Sequence, residues 1–217
     1  MLIEDPQVHF GAFSVQFPRV RFCDMGNVAI IGDPELASNY RVSDYSTDEA
    51  ASNRNGIADA IHRRFKERYV DPTSPNVVHG FTKMAIASLM IEALVSFRRG
   101  WPDTRDRGKG ELAFCSFFAT HPEFASFVPH GRDFYTGIRC GILHQAETTL
   151  GWRIRFDTAT MLEETAGVRT INSRMFIAAL GRALDRYRDD LKAAPWDDDL
   201  WKDLRKKMRS VIQNCQP

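Results

Sequence analysis

The sequence predicts an all-α fold, a bundle of four to six helices with a small irregular or β-containing extension at its N-terminal end. Three observations carry this expectation. Apolar residues recur at helical spacing in two long segments: Ile57, Ile61 and Phe65 in one, and Phe176, Leu180, Ala183, Leu184, Tyr187 and Leu191 in the other. Between them, VVHGFTKMAIASLMIEALVSFRRG is apolar nearly all round, which marks a central buried helix. The first 50 residues lack this periodicity, and VHFGAFSVQF and NVAII resemble short strands set apart by Pro and Gly.

These features divide the chain into an N-terminal extension, 1–52, and a helical domain, 53–217. The first helix, NRNGIADAIHRRFKERY, ends at Asp71-Pro72 and Pro75, because a residue preceding proline is pushed out of the helical region. The central helix stops at Gly100 and Pro102, and TRDRGKGE forms a charged loop. ELAFCSFFATHPEFASFV reads as two short helices broken at Pro122, and GRDFYTGIRCGILHQAE as a longer one. GWRIRF alternates and is expected to be a short strand or hairpin arm; SRMFIAALGRALDRYRDDL and the segment after Trp196 are the last helices. The acidic run DDDLW at 197–201 is better read as a helix start than as a metal site, since carboxylates favour the positive end of a helix, and RKKMR suits its other end.

With 217 residues, 43% hydrophobic and 26% charged, the chain is long enough to bury a core. Its 29 basic and 28 acidic side chains leave a net charge of +1, so no global field attracts nucleic acid or an anionic membrane, and any such contact must come from a local patch. Cys23, Cys115, Cys140 and Cys215 are scattered, with no C-x-x-C pair or Cys/His cluster, as expected for reduced thiols in a cytoplasmic protein without bound metal. The opening MLIEDPQVHF is unlike a signal peptide, and the longest apolar stretch, 84–97, is short for a bilayer and contains Glu92, so no membrane association is expected. His62, His79, His121 and His130 have no partner at ligand spacing and are expected at the surface or at helix ends.

One pair stands out in YTGIRCGILHQAETTL, where Arg139 and His144 are separated by four residues. From the Arg and His content alone, about two pairs of similar spacing arise by chance, so spacing by itself is uninformative. A helical wheel places Phe134, Tyr135, Ile138, Ile142 and Ala146 on a core face and Thr136, Arg139, Cys140, Leu143, His144 and Glu147 on the other. A leucine and a cysteine framed by an arginine and a histidine fit a protein contact better than open solvent. Five residues apart on an α-helix, the two side chains diverge by about 140° and do not easily converge on one small group, so the pair makes best sense in a homodimer that brings each Arg near the partner's His.

These residues, R-C-G-I-L-H within FYTGIRCGILHQAET, together with the preceding buried helix, the following GWRI and the helix MFIAALGRALDRYRDDL, resemble the HEPN superfamily over about residues 53–193. HEPN proteins are small helical bundles, many of them metal-independent ribonucleases with an R-x4-6-H signature. The resemblance implies that His144 is the general acid or base at the ribose 2′-hydroxyl or the leaving 5′-oxygen, and that Arg139 holds the scissile phosphate. The chemistry suits these types, since imidazole titrates near neutrality and guanidinium makes forked, permanently charged bonds to phosphate. It implies an endoribonuclease acting on RNA without a cofactor, giving 2′,3′-cyclic phosphate ends, often in settings such as phage defence. The alternative is a non-catalytic module of the same type that binds RNA, a nucleotide or a protein. Cys140 occupies a position where catalytic members often have a polar residue, and Ala146 one where some toxins have Tyr.

Glu92 lies in the apolar stripe of the central helix, so it must be hydrogen-bonded or paired, either buttressing the fold or orienting a site arginine; the plain, non-catalytic reading of Arg139 is an ion pair with a carboxylate such as Glu147 or Glu92. With Cys140 these carboxylates form the supporting set. Lys83, Arg98 and Arg99 flank the buried helix and are the candidate RNA-backbone contacts. Tyr135 and Trp152 are the candidate aromatics for stacking a base, with core packing favoured for Tyr135.

Overall fold

A computed structural model describes residues 33–73 and 79–215, which are mostly helical with a small β portion. The expected strands at 8–17 and 27–31, and Cys23, lie outside the described residues. The described part opens with an antiparallel pair, β1 (Glu35–Ala37) and β2 (Tyr40–Arg41), followed by α1 (Val42–Ala50) and α2 (Arg54–Phe65). The compact unit that contains the bundle begins at Asp33, so β1, β2 and α1 belong to it. Helix α1 was not expected. Only Tyr45 on it is buried, so it leaves no apolar stripe, and it starts where Asp44 accepts the Arg41 backbone N–H at 2.8 Å.

Helix α2 buries Ile57, Ile61 and Phe65, as its stripe predicts, and runs into a π turn (Lys66–Val70) and a 3₁₀ turn (Asp71–Thr73). The central helix α3 (Gly80–Arg98) packs against α4 (Lys109–Thr120), and also against α7 (Ser173–Ala193) and α8 (Asp199–Gln213). Met84, Ala87, Ile91 and Leu94 are fully buried along it. Gly100 ends it at φ +59°, a conformation a side chain would strain. By length and composition α3 is the one candidate membrane span among the described residues, and 56% of the apolar window lies buried inside the fold.

The chain between α4 and α7 carries the motif. A 3₁₀ segment (Pro122–His130) leads into a continuous helical run made of α5 (Gly131–Phe134), a π turn (Tyr135–Cys140) and α6 (Gly141–Gln145). Its inner face enters an aromatic cluster: Phe134 stacks on Phe176 at 5.5 Å and meets Phe118 edge-on at 5.1 Å, while Phe127 stacks on Trp152. A three-stranded sheet follows, β3 (Trp152–Arg155), β4 (Leu162–Thr165) and β5 (Val168–Asn172), in the order β3-β5-β4. β3 was expected from GWRIRF; β4 and β5 were not. They are joined by Ala166 and Gly167, both at positive φ, as a two-residue hairpin turn requires.

Helix α8 begins as its acidic run predicts, with Asp198 accepting the Leu200 N–H at 2.8 Å. It extends to Gln213, so RKKMR lies before its last turn, which has no basic residue. No group of three or more His, Cys, Asp or Glu side chains suited to a metal ion occurs among the described residues.

Candidate active site

Arg139 sits in the π turn, half-buried, with three neighbours. Its Nε donates to Glu92 Oε1 at 2.6 Å, its Nη1 lies 3.3 Å from His144 Nε2, and its guanidinium carbon lies 5.8 Å from the centre of the Tyr135 ring. Burial works against the Arg139 charge, but the hydrogen bond and charge of Glu92 outweigh it and hold the guanidinium above its ordinary pKa. Burial, then the adjacent Cys140, pushes the Tyr135 hydroxyl up.

Glu92 is 8% exposed and fully engaged. Thr104 Oγ1 donates to its Oε2 at 2.5 Å, while Oε1 takes Arg139. The carboxylate thus orients Arg139 by its Nε, leaving the Nη edge of the guanidinium turned towards the exposed His144. Among the described residues nothing takes Nη2, so this edge has donors available to a forked acceptor such as phosphate.

That Arg139 and His144 come to 3.3 Å within one chain departs from the helical-wheel expectation that they do not easily converge on a single helix. The wheel assumes a constant step of about 100° per residue, whereas the π turn containing Arg139 closes its hydrogen bonds five residues on, with the Gly141 N–H reaching Thr136 O. Two glycines let the chain fold back tightly here. A Cβ at Gly137 would stand 2.4 Å from Trp152 Cδ1, and one at Gly141 would stand 2.5 Å from the Glu147 carbonyl oxygen. Thr149 N–H donates to Gly137 O at 2.9 Å, and Ala146, at φ 56°, ends the helix. Ala146 is therefore exposed rather than on the core face. Asp133 pairs with Arg169 at 2.8 Å and ties the same helical run to β5.

Of the supporting set, Glu92 holds Arg139, Cys140 stands half-buried beside Tyr135, and Glu147 does not join: its carboxylate accepts the Thr148 N–H at 2.9 Å. The three cations proposed for RNA are not gathered at Arg139. Lys83 is 1% exposed, because the face of α3 that carries it is covered, and burial lowers its pKa. Arg98 pairs with Asp190 at 2.9 Å and lies over Tyr187 at 5.1 Å, and Arg99 lies over Trp101. Arg98 and Arg99 line a cavity of about 290 Å³ with His121 and Asp203, and neither Glu92, Arg139 nor His144 lines it.

Trp152 is 3% exposed within the aromatic cluster and offers no face to a base. Of the other histidines, His62 bonds Asp185 at 2.8 Å, and His121 stands at the C-terminal end of α4, one of the two places expected, but is buried there. Thr104 and Tyr135 are the site residues that spacing did not reveal as such. Thr104 lies in a charged loop, and it meets Glu92 from 12 residues away, a separation that no helical spacing marks. No protein family, no curated protein and no solved structure matches the chain.

Proposed function

We propose that the protein is a metal-independent endoribonuclease of HEPN type, with Arg139 and His144 as its catalytic pair. The observation that carries this reading is the 3.3 Å approach of Arg139 Nη1 to His144 Nε2, with Glu92 fixing the arginine from behind. When Nε2 is unprotonated it accepts from Nη1, so a basic nitrogen and a phosphate-binding edge share one solvent-reached spot.

In this reading a phosphodiester oxygen binds the Nη edge and takes Nη1 from His144, which frees the Nε2 lone pair to act as base. His144 takes the proton of the neighbouring ribose 2′-hydroxyl, the 2′-oxygen bonds to phosphorus, and the P–O5′ bond breaks. The 5′-oxygen leaves with a proton, giving a 2′,3′-cyclic phosphate and a 5′-hydroxyl. One imidazole cannot be base and acid in the same instant, and a homodimer supplies the second proton carrier as the partner's His144. Leu89 is 43% and Leu143 38% exposed, one helical turn from Glu92 and Arg139 respectively, so the catalytic pair is flanked by apolar surface suited to this contact. The setting we assign is the cytoplasm.

The test is incubation of the purified chain with mixed RNA in EDTA, followed by end-group analysis. Cleavage leaving cyclic phosphate ends, and resistance of RNA carrying 2′-deoxyribose at the scissile position, support the reading. A requirement for magnesium removes it. RNA affinity without cleavage replaces it with the binding-module alternative.

A further inference from the structure

The loop between α3 and α4 is anchored near both ends to groups that surround Arg139. At one end Thr104 Oγ1 donates to the carboxylate that takes Arg139 Nε. At the other, Gly110 brings α4 hard against Tyr135: an added Cβ would stand 2.7 Å from ring atom Cε2 and 2.8 Å from the hydroxyl oxygen. The same ring lies beside the Arg139 guanidinium. Residues 105–109 are therefore strung along the rim of the site.

Three cations lie on this rim, and two are already spent. Arg105 is bound to Asp103 through Nε at 2.8 Å and Nη2 at 2.5 Å. Lys109 pairs with Asp106 at 2.5 Å and faces the Trp101 ring. Arg107 is exposed, and no described residue holds it. It stands three residues from Thr104, at most about 11 Å of chain, which keeps it within the loop whose two ends meet the surroundings of Arg139. Two acids cancel two cations, and the net charge of the rim is that of Arg107.

We propose that Arg107 is a substrate-positioning residue that binds a non-bridging oxygen of an RNA phosphate adjacent to the one held by Arg139. This rests on the ribonuclease reading above. A guanidinium with no protein partner is ready for a polyanion, and a phosphate contact of this kind sets the register of the strand without reading its sequence.

The test uses the full chain and a short single-stranded RNA. Arg107→Ala should raise KM by about five- to tenfold, the loss of one charge-assisted contact, and leave kcat within about twofold. In the His144→Ala background, Arg107→Ala should lower the magnitude of the salt slope of RNA binding by about 0.7, one phosphate contact on a single strand. Arg107→Lys should recover most of the affinity, and Arg182→Ala, an exposed arginine of α7, should change neither quantity. If Arg107→Ala matches Arg182→Ala while the unaltered protein still cuts RNA, this inference alone is overturned. If the unaltered protein neither binds nor cuts RNA, the ribonuclease reading falls and takes this inference with it.

Discussion

Arg139 Nε donates to Glu92 Oε1 at 2.6 Å, and this bond joins the motif-bearing helical run to the central helix α3. Glu92 also accepts from Thr104, so one buried carboxylate fixes both the arginine and the loop beside it. Glu92→Gln keeps the shape and one acceptor but loses the charge. It should cost about 1–3 kcal/mol in urea unfolding and lower RNA cleavage by about tenfold; Glu92→Ala should cost more on both counts, since it leaves a half-buried guanidinium without its partner. A Glu92→Ala protein as stable and as active as the original would remove Glu92 from this role.

The tight return of the chain after α6 makes a second expectation specific. Gly141→Ala drives a Cβ to 2.5 Å from a backbone oxygen, which cannot step aside, and should destabilise by about 1–3 kcal/mol with loss of cleavage as His144 is displaced. Gly181 on α7 meets nothing within 4 Å, so Gly181→Ala should instead stabilise, by up to about 1 kcal/mol, through helix propensity. Paired thermal melts decide it, and equal shifts for the two variants would count against the packing argument.

His121 is 2% exposed, its Nδ1 has no partner among the described residues, and burial, then Arg98, holds its pKa down to about 4 from an ordinary 6.5. The unfolded chain therefore binds the extra proton between these values. Stability should be constant with respect to this group above about pH 6.5, fall as pH drops through that window, and have lost about 3 kcal/mol by pH 4. His121→Phe should abolish this component of the acid limb. Identical pH profiles from pH 4 to 7 for the two proteins would contradict it.

The homodimer is testable without substrate. Leu143→Lys places a charge on the apolar ground beside His144 and should shift a dimer towards monomer by sedimentation at micromolar concentration, with little change in the melting temperature of the chain. A protein that is monomeric before any substitution would sink the dimer, and with it the second proton carrier.

Much of the fold was legible in the residues. The stripes of α2 and α7 and the all-round apolar character of α3 named the core because burial writes a periodicity of about 3.6 residues into a long helix. Helix α1 was not legible, since Tyr45 is its only buried side chain. β4 was missed because its four residues are at most half-buried and show no apolar alternation, and the Ala166-Gly167 turn carries only one glycine. At the site, the cost of a lone carboxylate in an apolar stripe required a partner for Glu92, but left open whether Glu92 or Glu147 takes Arg139. The meeting of Arg139 and His144 in one chain did not follow, because a π turn has no sequence period of its own.

The central claim is that Arg139 and His144 act together on a phosphodiester, and the most direct measurement is the single-turnover cleavage rate of RNA in EDTA for the original protein, His144→Ala and Arg139→Lys, each shown to be folded. The account predicts that His144→Ala slows cleavage by about two to four orders of magnitude. Arg139→Lys should also be strongly impaired, because lysine keeps the charge but loses the forked contact and the geometry of the bond to Glu92. Cleavage that survives both substitutions at the original rate would contradict it.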